Sequence, residues 1–130
     1  MEETLFDFDE MVSHPTHYTD GFECKDMECI DISRHLSFNC GNAFKYVWRA
    51  GKKESDKTMQ DLEKAMWYLK DIITNKTKRN SSYTAKCLFA MIIPEDDERY
   101  EILSAIVNED FENAMNLLMN WHEKFEGDCE

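Results

Sequence analysis

The chain has 130 residues, 42% hydrophobic and 12% aromatic, enough to bury one core without disulfide or metal staples. With 27 acidic and 15 basic residues its formal net charge is -12, which opposes the broad cationic surface that duplex nucleic acid demands. No apolar run approaches the roughly 18 residues of a membrane span, and Met1-Glu2-Glu3 places acid where a signal peptide carries cations, so a cytoplasmic protein without membrane contact is expected.

Leu, Met, Ala, Glu and Lys dominate and β-branched runs are few. That composition favours helix and predicts an all-α fold, a small helical bundle with a C-terminal helical extension. Three segments are expected: an acidic leader over 1–13, a helical domain over 14–79 and the extension over 80–130. Five cysteines (Cys24, Cys29, Cys40, Cys87 and Cys129) lack a framework spacing and read as reduced thiols. His14, His17, Cys24 and Cys29 fit no common zinc spacing, so no structural metal is expected.

After the leader, His14-Pro15-Thr16-His17-Tyr18-Thr19-Asp20-Gly21 is a loop, because Pro15 fixes its own backbone and pushes His14 toward extended geometry. Met27, Ile30, Ile32 and Leu36 predict a short helix reaching to Leu36, with Glu28 and Asp31 on one solvated face. Residues 37–41 read as a break, with Asn39 as N-cap of the next helix. That helix, near 42–50, has an apolar side of Phe44, Val47 and Trp48. Its other side carries Asn42, Lys45, Tyr46 and Arg49 at spacings 0, 3, 4 and 7. Gly51 supplies the left-handed stop, and Lys52 and Lys53 follow it.

The longest helix is predicted over 57–74. Met59, Leu62, Met66, Leu69 and Ile73 repeat at 3, 4, 3 and 4 as a core stripe, widened by Ala65 and Ile72. Asp61, Lys64, Tyr68 and Asp71 line a second face, and Trp67 reads as core alongside Trp48. A polar linker spans 75–82. Beyond it, helices are expected over 83–91, around Tyr100 to Val107, and from Phe111 until Gly127 ends the last one. Asn108-Glu109-Asp110 breaks and recaps, and His122 reads as a core-edge histidine.

Charge is unevenly divided. The window from Asn42 to Lys53 holds four cations and no carboxylate in a chain of net charge -12. A compact anion that fits one pocket suits this distribution better than a polymer does. Arg49 offers phosphate a bidentate fork and Lys45, Lys52, Lys53 and Lys64 offer point charges. Tyr46, Tyr68 or Trp48 could stack a base, though the spacing of Trp48 favours core. His14 and His17 are the candidate acid, base or phosphate donors near neutral pH, with Tyr18 beside them. No Gly-x4-Gly-Lys-Ser/Thr loop is present, since the four glycines lie far apart.

Taken as an ordered set, His14-Pro15-x-His17-Tyr18-x-x-Gly21, Glu28-x-x-Asp31, Gly41-Asn42-Ala43-x-Lys45-Tyr46-x-x-Arg49-Ala50-Gly51-Lys52-Lys53 and Asp61-Leu62-x-Lys64-Ala65-x-Trp67-Tyr68-Leu69 resembles a family of small bacteriophage proteins. That family includes a deoxynucleoside monophosphate kinase. The resemblance implies a nucleotide ligand and kinase-like phosphoryl transfer without a P-loop, with Mg2+ entering only alongside the nucleotide. Residues 80–130 fall outside it. Two other readings stand beside the first: a non-catalytic protein that sequesters a host signalling nucleotide, and a helix-turn-helix DNA regulator. Phe44, Trp48, Met66 and Ile73 offer more apolar surface than residues 14–79 easily cover, so a homo-oligomer is expected.

Overall fold

The computed structural model describes residues 27–51, 55–77, 83–92 and 98–129, with side chains of 27–51, 57–77, 83–92 and 98–124. Six helices follow one another: α1 (Cys29–Ser33), α2 (Phe38–Arg49), α3 (Ser55–Asn75), α4 (Tyr83–Phe89), α5 (Glu98–Val107) and α6 (Phe111–Cys129). The described residues contain no strand, and the fold is all-α. No helix among them is long and apolar enough to cross a membrane.

α2 lies at the centre, against α3, α5 and α1; α6 packs across α3 and α5, and α4 bridges α1 and α5. The apolar spacings explain the layering. Phe44, Val47 and Trp48 of α2 are buried, and so are Leu62, Ala65, Leu69 and Ile72 of α3. Ile102, Leu103 and Ile106 of α5 and Phe111, Ala114 and Leu118 of α6 enter the same core. The Phe89 ring meets Phe44 edge-on at 6.2 Å, which ties α4 into that core.

The structure corrects several boundaries. α1 stops at Ser33 rather than Leu36, because the chain tightens: the Leu36 amide donates to the Ser33 carbonyl at 3.0 Å. Residues 38–41 are helical, and Ser37, not Asn39, is the N-cap of α2. Gly41 is therefore an interior helix residue, and a Cβ there would meet the Ser33 carbonyl at 3.2 Å. Glycine lets α1 and α2 approach closely, a packing role rather than a breaking one. α4 ends at Phe89, two residues early, in tight turns that carry the chain to Ile92. α6 continues through Gly127 to Cys129.

Trp67 is the largest correction. It is 62% exposed, while Trp48 is fully buried. Gly51 does hold φ +85° beyond the end of α2, as a left-handed stop requires. The turn at 108–110 closes α5 with Glu109 at φ 63° and the Asp110 amide on the Ala105 carbonyl at 2.8 Å. At the core edge His122 meets Glu63 at 3.1 Å, linking α6 to α3.

Candidate functional site

Lys45 and Tyr46 are consecutive on α2, and Lys64 and Tyr68 are one turn apart on α3, so the packing of these two helices brings all four together. The Tyr46 and Tyr68 rings stack nearly parallel, with centroids 6.1 Å apart and planes 11° apart. Lys45 Nζ lies 4.6 Å from the Tyr46 centroid and Lys64 Nζ lies 5.3 Å from the same point. Each position suits attraction between a cation and the negative face of a ring. Neither ammonium forms an ion pair with the described residues. Two cations with no ion pair among the described residues thus converge on one ring in a strongly acidic chain.

The aromatic surface continues past Tyr68. Phe38 meets that ring edge-on at 6.1 Å and 72°, and Trp67 does so at 5.2 Å and 84°. Beside them, at the end of α3, is a polar cluster. Asn39 Nδ2 donates to Asp71 Oδ2 at 2.8 Å and to Thr77 Oγ1 at 3.0 Å. Asn75 Nδ2 donates to the other Asp71 oxygen at 2.6 Å. Asn39 thereby fastens the start of α2 to the end of α3.

The remaining members of the polar face of α2 go elsewhere. Asn42 turns back on its own helix, its Nδ2 donating to the Phe38 carbonyl at 2.8 Å. Arg49 points to the opposite end of α3, where its Nε lies 3.5 Å from Asp61 Oδ2, with the carboxylate side chain 5% exposed and the guanidinium side chain 19%. Arg49, expected as a phosphate fork, here faces a buried carboxylate and compensates its charge. Nearby, the Gly51 amide donates to the Thr58 hydroxyl at 3.2 Å, and buried Arg99 of α5 donates to the Trp48 carbonyl. His14, His17, Tyr18, Lys52 and Lys53 lie outside the described residues, as do the histidines and Cys24 of the discarded zinc set.

Lys45 also acts on α1. The buried Cys29 thiol is pushed up to about 12 by loss of solvent, while its hydrogen bond to Ser33 and the Lys45 charge pull the other way. Among the described residues no group of three His, Cys, Asp or Glu is placed to hold a metal ion. Glu28 and Asp31 serve the start of α1 instead: the Asp31 carboxylate accepts the Glu28 amide at 2.8 Å and faces Arg34 at 3.8 Å.

Sequence reasoning did not find Phe38 or the Asn39–Asp71–Thr77 cluster. The available signal for the first was a large aromatic between Ser37 and Asn39, at a place read as a break. For the second there was only the i, i+4 pair Asp71 and Asn75.

Comparison with known proteins adds one finding. Residues 12–70 match a family described as a protein of unknown function, DUF3310. The match takes in α1, α2 and most of α3, including all four residues of the Lys–Tyr platform. No curated protein and no solved structure matches the chain.

Proposed function

We propose that this chain binds a nucleotide, with phosphate held by Lys45 and Lys64 above the Tyr46–Tyr68 stack. The observation that supports the reading is the convergence of two ammoniums, from two helices, on one aromatic ring. A ring face orients a cation without cancelling its charge, and a compact phosphate suits two such cations. Lys52 and Lys53 join the proposal from their position after α2, and Asn42 from its place on the same helix. Arg49 contributes indirectly, by holding α2 to α3 through Asp61.

The resemblance to bacteriophage nucleotide kinases extends the proposal to phosphoryl transfer in the cytoplasm of an infected host. Such transfer needs charge neutralisation and an oriented acceptor. The lysines suit the first role; His14 or His17 is assigned the second, with Tyr18 beside them and Mg2+ arriving with the nucleotide. The sequestering alternative uses the same platform without turnover. The helix-turn-helix reading loses ground, because a recognition helix presents an exposed face to the groove. Along α2 only Phe38 is exposed.

Calorimetric titration with nucleoside mono-, di- and triphosphates tests the binding. Lys45→Ala or Lys64→Ala is expected to weaken it by about 1.5–3 kcal/mol, roughly 10- to 150-fold. Affinity unchanged in both variants would remove the platform from the site. Assaying phosphate transfer from ATP to deoxynucleoside monophosphates then separates the two readings. Turnover that His14→Ala or His17→Ala abolishes supports the kinase, and tight binding without turnover supports sequestration.

Homo-oligomerisation stays in the proposal with different support. Phe44 and Trp48 are covered by the chain's own helices, and the large exposed apolar side chains among the described residues are Ile30, Phe38, Trp67, Tyr83, Met91 and Met119. A mass of 15.4 kDa by light scattering at micromolar concentration would remove it.

A further inference from the structure

A cleft of about 520 Å³ opens beside the Lys–Tyr platform, lined by Ser37, Phe38, Asn39, Trp67, Asp71 and Thr77. Its lips are aromatic: Phe38 is 76% exposed and Trp67 62%. Both rings touch Tyr68, so the cleft is continuous with the surface that carries Lys45 and Lys64. Its other lining side chains, Ser37, Asn39, Asp71 and Thr77, are polar. Asp71 can only accept, so Asn39 must present Nδ2 to it, and that nitrogen also serves Thr77. Asn39 Oδ1 is thereby left as an acceptor. The Asp71 carboxylate takes one bond on each oxygen and keeps further lone pairs.

Ser37 adds an independent sign. Its Oγ is buried and has no hydrogen-bond partner among the described residues. It makes no side-chain bond to α2 even though it occupies the N-cap, where a serine hydroxyl ordinarily accepts from the first turn. A buried hydroxyl without a partner is costly, and a ligand that bonds to it relieves that cost.

We infer that this cleft is the base-binding subsite of the proposed nucleotide site, and that it selects bases bearing an exocyclic amino group. A flat heterocycle stacks against Trp67 and Phe38, and its N–H donors meet Asn39 Oδ1 and the Asp71 carboxylate. Cytosine, adenine and guanine offer such an amino group; uracil, thymine and hypoxanthine do not. The assignment of the base to this cleft rests on the reading of the Lys–Tyr platform as the phosphate end, and the test separates the two.

Cytidine and uridine 5′-monophosphates, and guanosine and inosine 5′-monophosphates, form pairs that differ at an amino group. Their binding, and that of the four unphosphorylated nucleosides, is read by calorimetry and by quenching of tryptophan fluorescence. In the parent chain the amino-bearing member of each pair is expected to bind at least about 5-fold more tightly, since its partner lacks the N–H that Asn39 Oδ1 and the Asp71 carboxylate would accept. Trp67→Ala is expected to abolish the quenching and to weaken binding roughly 5- to 150-fold, the range for loss of one base–aromatic stack. Ser37→Ala should weaken binding without lowering the melting temperature, because that hydroxyl makes no bond to the described residues.

Equal affinities within both pairs, together with unchanged binding in Trp67→Ala and Ser37→Ala, would overturn the cleft assignment while leaving a lysine-dependent phosphate site standing. Nucleosides that bind as tightly as nucleotides, lose affinity in Trp67→Ala and ignore Lys45→Ala and Lys64→Ala would support the cleft and remove the phosphate reading. No binding of any of these compounds would overturn both.

Discussion

Asp61 decides what Arg49 is for. A carboxylate side chain that is 5% exposed needs a compensating charge, and the guanidinium 3.5 Å away provides one. Removing one partner of such a pair leaves a buried charge, so Arg49→Ala is expected to cost about 3 kcal/mol of stability. A melting temperature lowered by about 10 °C checks it; a change within about 2 °C would return Arg49 to the ligand. The double variant Arg49→Met with Asp61→Leu should recover most of the loss, because apolar pairs replace buried ion pairs at little cost. Cys29 carries a second expectation. Its thiol is raised from 9.0 to about 12, chiefly by burial, so the folded state holds the proton that the unfolded state gives up. That contribution is complete below pH 9 and is lost as pH rises toward 12. Urea midpoints on either side of pH 9 should fall on the alkaline side, and less steeply in Cys29→Ala. Native alkylation near neutral pH should label exposed Cys87 and spare buried Cys29 and Cys40.

At the scale of elements, α2 and α3 give two tryptophans opposite fates. Trp48 lies under α5, whose Arg99 reaches its carbonyl, and Trp67 stands in solvent beside Tyr68. Trp48→Ala should therefore cost about 3–5 kcal/mol, while Trp67→Ala should stay within about 0.5 kcal/mol. Denaturant unfolding followed by far-UV circular dichroism distinguishes them without relying on either fluorophore. The corner between the helices depends on Gly51. A Cβ there meets no described atom within 4 Å, so space is not the obstacle; φ +85° is. Gly51→Ala should cost about 1–2 kcal/mol from backbone geometry alone, and Gly51→Asn should cost less because asparagine tolerates the left-handed region better. Equal costs would mean that the corner relaxes on substitution.

For the whole molecule, the C-terminal helices are part of the structure that holds the site. Phe89 sits against Phe44, buried Arg99 bonds to the end of α2, and α6 covers α3. A chain ending at residue 79 would expose Phe44, Trp48 and Leu62, which the present fold buries completely. Such a fragment is expected to lose cooperative thermal unfolding and to bind a hydrophobic dye, as a loosely packed helical state does. A sharp melt from that fragment would show that residues 80–130 add to a core already complete without them. The matched family region ends at residue 70, so much of the cover on α2 comes from residues beyond it.

Helical content and the main apolar stripes were legible in the linear order of residues. Spacings of three and four select a face of one helix from local geometry, which is why Leu62, Leu69 and Leu118 are buried where periodicity puts them. The stop at Gly51 was legible for the same reason, being a property of one backbone. Periodicity is silent about which polar face meets which neighbour. Lys45 and Arg49 are one turn apart on α2, yet the first reaches the Tyr46 ring and the second reaches Asp61. Asn39 looked like a cap because its type suits one; in the fold it bonds to Asp71 and Thr77, 32 and 38 residues away. Trp67 looked like core because it is large and apolar, and the register of α3 against α6 leaves it outside. The crossing and register of packed helices set these pairings. They arise from the fit of whole surfaces, which no local pattern encodes.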